Sequence, residues 1–255
     1  MEYKTTAIWF SPTGGTHRAA EIITSQWGRE AVTVDLCDRE MDFSKCHIDS
    51  DDLVLIAVPS YGGRVPALAA ERLSLIQGNG AACVLLCVYG NRAYEDTLVE
   101  MQDIAEKDGF KVIAAVSAVA EHSIVRKFAA GRPDDQDRQL LQDFAGRILD
   151  KFKSGNCGVP QIPGNRPYKK AGSVGLVPKG GAACLKCGKC ADVCPSGAIS
   201  RDRPKTADKS KCISCMRCVA VCPQSARKAN GIMVFVASLA LKKACSTRKE
   251  CQLFI

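Results

Sequence analysis

Eight of the fifteen cysteines fall into one pattern written twice. Cys184, Cys187, Cys190, Cys194 and Pro195 read C-x2-C-x2-C-x3-C-P, and Cys212, Cys215, Cys218, Cys222 and Pro223 repeat it. Three thiolates spaced three residues apart can wrap a tight loop over one compact iron cube, with the fourth at the head of a short helix. Two other chemistries compete for such sulfurs. Structural zinc usually draws two ligand pairs across a longer insertion and closes with four sulfurs, so a third crowded C-x2-C step serves it poorly. Disulfides need an oxidising compartment, which nothing in the sequence supplies. The doubled spacing and both prolines predict two 4Fe-4S clusters.

This stretch resembles the bacterial-type 2[4Fe-4S] ferredoxins. In that family the fourth cysteine of each run ligates the other cluster. By this resemblance cluster one takes Cys184, Cys187, Cys190 and Cys222, while cluster two takes Cys212, Cys215, Cys218 and Cys194. There is one departure. The first run continues Ser196-Gly197-Ala198-Ile199 and the second Gln224-Ser225-Ala226-Arg227, so a cation stands where the family usually has an apolar side chain. Arg227 is expected to favour the reduced, more negative state of its nearer cluster.

At 255 residues the chain has room for two domains. The cysteine-rich part is too small to hold together by apolar burial alone, so its clusters should also act as staples. The formal charge of +8 could by itself suggest a nucleic-acid partner. Each oxidised cube with four thiolates contributes −2 and a flavin phosphate about −2, which brings the loaded protein to about +2. With no arginine-rich helix or aromatic RNA-binding run, a nucleic-acid partner is not expected. Met1 to Phe10 lacks the basic start and apolar run of a secretory signal, so a reducing cytoplasm is expected. No membrane span is expected either: Ile232 to Leu241 is the longest apolar candidate, about half of the roughly 20 residues a span requires.

The first half reads as alternating strands and helices. Lys4 to Phe10 predicts a strand, followed by the loop Ser11-Pro12-Thr13-Gly14-Gly15-Thr16 and a helix from His17 to Trp27. Such a loop offers backbone N–H groups and hydroxyls at a helix N-terminus, which suits a phosphate; a plain capped turn is the alternative. Val32 to Leu36 and Leu53 to Val58 predict strands two and three. The third runs into Pro59-Ser60-Tyr61-Gly62-Gly63-Arg64-Val65-Pro66 and a helix, Ala67 to Ile76. Ala81 to Val88 predicts strand four, ending in Tyr89-Gly90-Asn91-Arg92-Ala93-Tyr94 before a helix from Glu95 to Lys107. Lys111 to Ala118 completes five strands, and a helix from Asp134 to Phe152, capped by Asp134 or Asp135, closes the domain.

Ser-x-Thr-Gly-x-Thr directly after the first strand resembles the FMN phosphate loop of flavodoxins. The resemblance implies a flavodoxin-like, doubly wound five-stranded parallel sheet with FMN across its carboxyl strand ends. Ser11, Thr13, Gly14, Gly15 and Thr16 would hold the phosphate. Pro59, Ser60, Tyr61, Gly62 and Gly63 would lie along the flavin, with Tyr61 on one ring face and Gly62-Gly63 able to flip. Tyr89, Gly90, Asn91 and Tyr94 would supply the other face and the pyrimidine edge. His122, just past strand five, either approaches the flavin or sits at the surface as a cap.

The expected organisation is a flavodoxin-like FMN-binding domain over 1–153, a linker over 154–180, a ferredoxin domain over 181–230 and a C-terminal helix within 231–255, drawn from Ile232 to Glu250. Pro160, Pro163, Pro167 and Pro178 should make the linker semi-stiff. Cys37, Cys46, Cys83, Cys87, Cys157, Cys245 and Cys251 have no cluster spacing and receive no role. The whole chain resembles the anaerobe fusion proteins labelled EFR1-family ferredoxins, in which a flavodoxin-like domain precedes a two-cluster ferredoxin.

That resemblance implies an electron-transfer protein linking two-electron and one-electron redox partners. Lys186, Lys189, Arg201, Arg203, Lys205, Lys209, Lys211 and Arg217 either dock acidic redox partner proteins or offset cluster charge. An FMN and iron-sulfur oxidoreductase acting on a small substrate, with Tyr61, Tyr94 or His122 as proton donor, and a redox-sensing interaction module remain open. So does a homodimer.

Overall fold

The computed structural model describes residues 3–28, 30–156, 158–172 and 175–255. Cys157 and part of the linker therefore lie outside the described residues. In chain order the elements are β1 (Thr5–Trp9), α1 (Gly15–Thr24), β2 (Val32–Asp35), β3 (Leu53–Pro59), α2 (Ala67–Leu73), β4 (Ala82–Tyr89), α3 (Thr97–Lys107), β5 (Lys111–Val119) and α4 (Asp135–Lys153). There follow the short pieces β6 (Lys179–Gly180), α5 (Lys189–Asp192), α6 (Arg217–Ala220) and β7 (Arg227–Lys228), then α7 (Gly231–Lys242) and β8 (Gln252–Phe254).

Strands β2, β1, β3, β4 and β5 lie side by side, all parallel. The order 2-1-3-4-5 is the flavodoxin-like winding. Alternation explains how both faces are filled. On β3, Val54, Ile56 and Val58 join α2 and α3 on one face, while Leu53, Leu55 and Ala57 join α1 and α4 on the other. Both sets are fully buried, at about 1.5–3 kcal/mol for each large aliphatic side chain. A sheet apolar on both faces needs helices on both sides.

Two features go beyond the sequence expectation. The sheet has a sixth strand: β8 pairs antiparallel with β5, Val116 opposite Leu253, and covers the edge that β5 would otherwise expose. The C-terminal helix expected as far as Glu250 stops at Lys242. Tertiary ion pairs draw the following tail away from a helical path. Arg248 pairs with Asp134 at 2.6 Å, and the Lys249 amide donates to Asn91 Oδ1 at 3.1 Å.

The linker is pinned rather than loose. Asp96 accepts the backbone N–H of Asn165 and of Lys169 at 2.9 and 2.7 Å, and Lys169 Nζ reaches Glu95 at 2.6 Å. Asp134 caps α4 through a reciprocal box with Asp137. Asp137 is 0% exposed and takes Arg132 Nε at 2.7 Å, and Arg132 also donates to the Lys249 carbonyl at 2.7 Å. Arg132→Met strips the buried Asp137 carboxylate of its closest cation and leaves it only Arg248 at 3.3 Å, so it should cost up to about 3–5 kcal/mol in urea unfolding. A loss below about 1 kcal/mol would show the pair to be dispensable.

Candidate flavin crevice and paired cysteine hollows

A crevice opens at the carboxyl ends of β1, β3, β4 and β5. Its empty space is some 760 Å³ when the open mouth is counted. The loop after β1 contributes Thr13, Gly15 and Thr16, and the loop after β3 contributes Pro59, Ser60, Tyr61 and Gly62. Tyr89 and Gly90 follow from β4. The backbone explains the glycines. Gly62 and Gly63, at φ +63° and +88°, form the two-residue turn whose Tyr61 N–H donates to the Arg64 carbonyl at 2.9 Å. A Cβ on Gly90 would meet the His122 ring at 2.7 Å, so this position keeps the crevice floor thin.

Other expected residues stand just outside. Ser11 Oγ accepts the His17 amide at 2.9 Å, and Gly14 enters α1 at φ +89°. Both shape the first loop from behind. Gly63 is buried against the Glu95 carboxylate. The structure does not bring Asn91 or Tyr94 to the crevice. Asn91 Nδ2 donates to the Cys245 and Thr247 carbonyls at 3.1 and 2.8 Å, clamping the C-terminal tail. Tyr94 stacks edge-on against Tyr89, with 5.3 Å between centroids, and its hydroxyl donates to Gln252 Oε1 at 2.9 Å. A loop sequence shows which side chains can face a ligand, but not which ones a distant tail will recruit.

Sequence reasoning missed part of the lining. Glu121, Ser123 and Ile124 close one side together with His122. Their signal was their place after β5, at the same sheet edge as the other loops. Nδ1 of His122 accepts the Ile124 and Val125 amides, both at 3.2 Å, which leaves the Nε2 position for the proton of the neutral ring. The opposite side is closed by Ile213 and Ser214, which belong to the second cysteine run. No signal in the sequence relates these two residues to the first half of the chain.

The cysteines gather into two hollows. Cys184, Cys187, Cys190 and Cys222 line one, together with Arg227. Cys194, Cys212, Cys215 and Cys218 line the other, together with Ile213 and Arg217. Each hollow thus takes three cysteines of one run and the fourth of the other. Among the described residues no three His, Cys, Asp or Glu side chains converge on a single-ion site. Burial pushes the Cys215 thiol up to about 12, a cost that a cluster's positive irons would reverse. The four cysteines lining each hollow are the donor set that a 4Fe-4S cluster takes.

Arg217, expected either to dock an acidic partner or to offset cluster charge, faces inward. It reaches the Ser11 carbonyl at 3.4 Å and Asp35 at 3.6 Å. Arg72 donates to the Pro195 carbonyl at 2.7 Å and Arg39 to that of Ala191 at 3.3 Å. The cysteine module is thereby held against the loops after β1 and β2.

Residues 183–226 match the family of 4Fe-4S dicluster domains. No curated protein matches the chain. Among solved structures, a flavodoxin of Streptococcus pneumonia TIGR4 is similar at 18% identity and TM-score 0.42, over 58% of this chain and 98% of that one. Flavodoxin 2 from Bacillus cereus is similar at 14% identity and TM-score 0.45, over 58% and 99%. A flavodoxin from the domain Archaea is similar at 15% identity and TM-score 0.42, over 59% and 99%. The winding itself rests on the strand order above. A 4Fe-4S module beside a flavodoxin-like sheet supports an electron-transfer role.

Burial lowers the His122 pKa from 6.5. Its contribution to stability is thus fully present above about 6.5 and is lost as pH falls from there through the lowered folded value. NMR titration should show the His122 ring protonating below 6.5, and a midpoint at or above that value would refute the neutral assignment.

Proposed function

We propose that the chain relays electrons between FMN in the crevice and two 4Fe-4S clusters in the cysteine hollows. One observation carries this reading: Ile213 lines both the crevice and the hollow of Cys194, Cys212, Cys215 and Cys218. The two sites share Ile213 as a common wall. When bound, FMN supplies chemistry that exchanges one or two electrons, and each cluster exchanges one at a time.

The chain's own residues bind, orient and shield. Thr13 and Thr16 offer hydroxyls at the head of α1, where the helix N-terminus favours a phosphate. Gly14 and Gly15 leave the two positions between those hydroxyls without side chains. Tyr61 and Tyr89 flank the ring site, and Gly62-Gly63 leave the backbone beside it able to turn over. Burial pushes the Tyr61 hydroxyl up and so holds its proton in place. His122 presents Nε2–H as a proton donor in the same crevice. Ile213 and Ser214 exclude water from the side that faces the cysteines.

Around the hollows, Cys184, Cys187, Cys190 and Cys222 hold one cluster and Cys194, Cys212, Cys215 and Cys218 the other. Exposed cations of this module, Lys186, Arg203 and Lys209 among them, steer an acidic redox partner toward the clusters. A cytoplasmic setting accords with cysteines that are all unpaired among the described residues.

Anaerobic purification with metal and flavin analysis tests the proposal. About eight irons and about one FMN per chain are expected. Zinc in place of iron, or intact clusters without flavin, would each overturn one half. Thr16→Val removes a buried hydroxyl from the first loop and should weaken FMN binding roughly tenfold with iron content unchanged.

A further inference from the structure

Arg227 is among the largest fully buried side chains, at 1% exposed. Its Nη2 donates to the Pro178 carbonyl at 2.7 Å, and its Nη1 donates to the Pro204 carbonyl and to Cys190 Sγ, the latter at 3.8 Å. Its Nε is buried with no partner. Among the described residues no carboxylate pairs with it. An interior cation satisfied only by neutral carbonyls is expensive, and an anion nearby is what removes the expense. The surrounding groups that become anionic on loading are the cysteine sets. Arg227 lines the hollow of Cys184, Cys187, Cys190 and Cys222. Cys190, Cys194 and Cys218, drawn from both hollows, pack into one apolar cluster, where a charge is weakly screened.

We propose that Arg227 is a positioning cation shared by the two cysteine sets, holding them in one block and stabilising the reduced, more negative state of both clusters. This rests on the 4Fe-4S reading above and widens the sequence expectation, which gave Arg227 to its nearer cluster alone. Hydrogen bonds to cluster sulfurs and the net local charge set such potentials. The partners on Pro178, Pro204 and Cys190 fix the guanidinium, so its charge stays where it is when an electron arrives.

The test is a dithionite titration of the loaded full chain, following each cluster's signal by electron paramagnetic resonance in the wild type, Arg227→Met and Arg227→Lys. Iron analysis of the wild type comes first: absent clusters there would sink the functional reading itself, before Arg227 is examined. With clusters present, both midpoint potentials should fall in Arg227→Met, while Arg227→Lys, which keeps the charge but loses the fork, should lie between it and the wild type. Unchanged potentials in a fully loaded Arg227→Met would overturn the proposal. A fall confined to one cluster would overturn the sharing. If Arg227→Met loads no iron, Arg227→Lys decides: both potentials lowered supports tuning, and wild-type potentials would assign Arg227 to assembly alone.

Discussion

The arrangement depends on one contact, that of the loop carrying Cys212 to Cys218 with the carboxyl edge of the sheet. Arg217 leaves that loop and lies between Asp35 and the Ser11 carbonyl, while Ile213 packs against the core shared by α2 and α3. Asp35 ends β2 and Ser11 lies in the loop after β1, so the cation ties the cysteine module to two neighbouring strands at once. The same loop after β1 frames the crevice. Whatever orders the cysteine loop therefore also orders one wall of the crevice.

The chain holds its cysteine module at both ends on the same sheet. Ahead of it, residues 163–169 run along the start of α3 through Asp96, Glu95 and Asp103. Behind it, the tail returns under Asn91, Arg132 and Asp134 to deliver β8 onto the β5 edge. Two tethers restrict how far a small module can rotate, where one would leave it to explore a sphere. Fixed geometry is what the proposed electron path past Ile213 requires. The buried pair of Arg132 and Asp137 serves this return directly, because Arg132 also holds the Lys249 carbonyl.

Much of this was legible in the residues. Apolar runs ended by loops rich in glycine, proline and hydroxyls located all five parallel strands, and the doubled cysteine spacing located both hollows. β8 was not legible: three residues are too few for a periodic signal, and its edge position depends on partners more than a hundred residues earlier. Asn91 and Tyr94 had the composition of crevice residues, yet the tail claimed both. Arg217 read as a cation for a docking partner or for the clusters because its acidic partner, Asp35, lies in the other half of the chain. Ile213 and Ser214 read as spacers between cysteines. In each case local chemistry was read correctly, and the long-range contact that redirected it left no trace in the neighbouring residues.

The central claim is that electrons pass between the crevice and the hollows within one molecule. Laser-flash photoreduction of the flavin in the loaded protein, followed optically at the cluster bands over a tenfold range of protein concentration, tests it most directly. The account predicts cluster reduction at a rate independent of concentration. A rate proportional to concentration, or no cluster reduction at all, would mean that the two halves communicate only by collision or not at all.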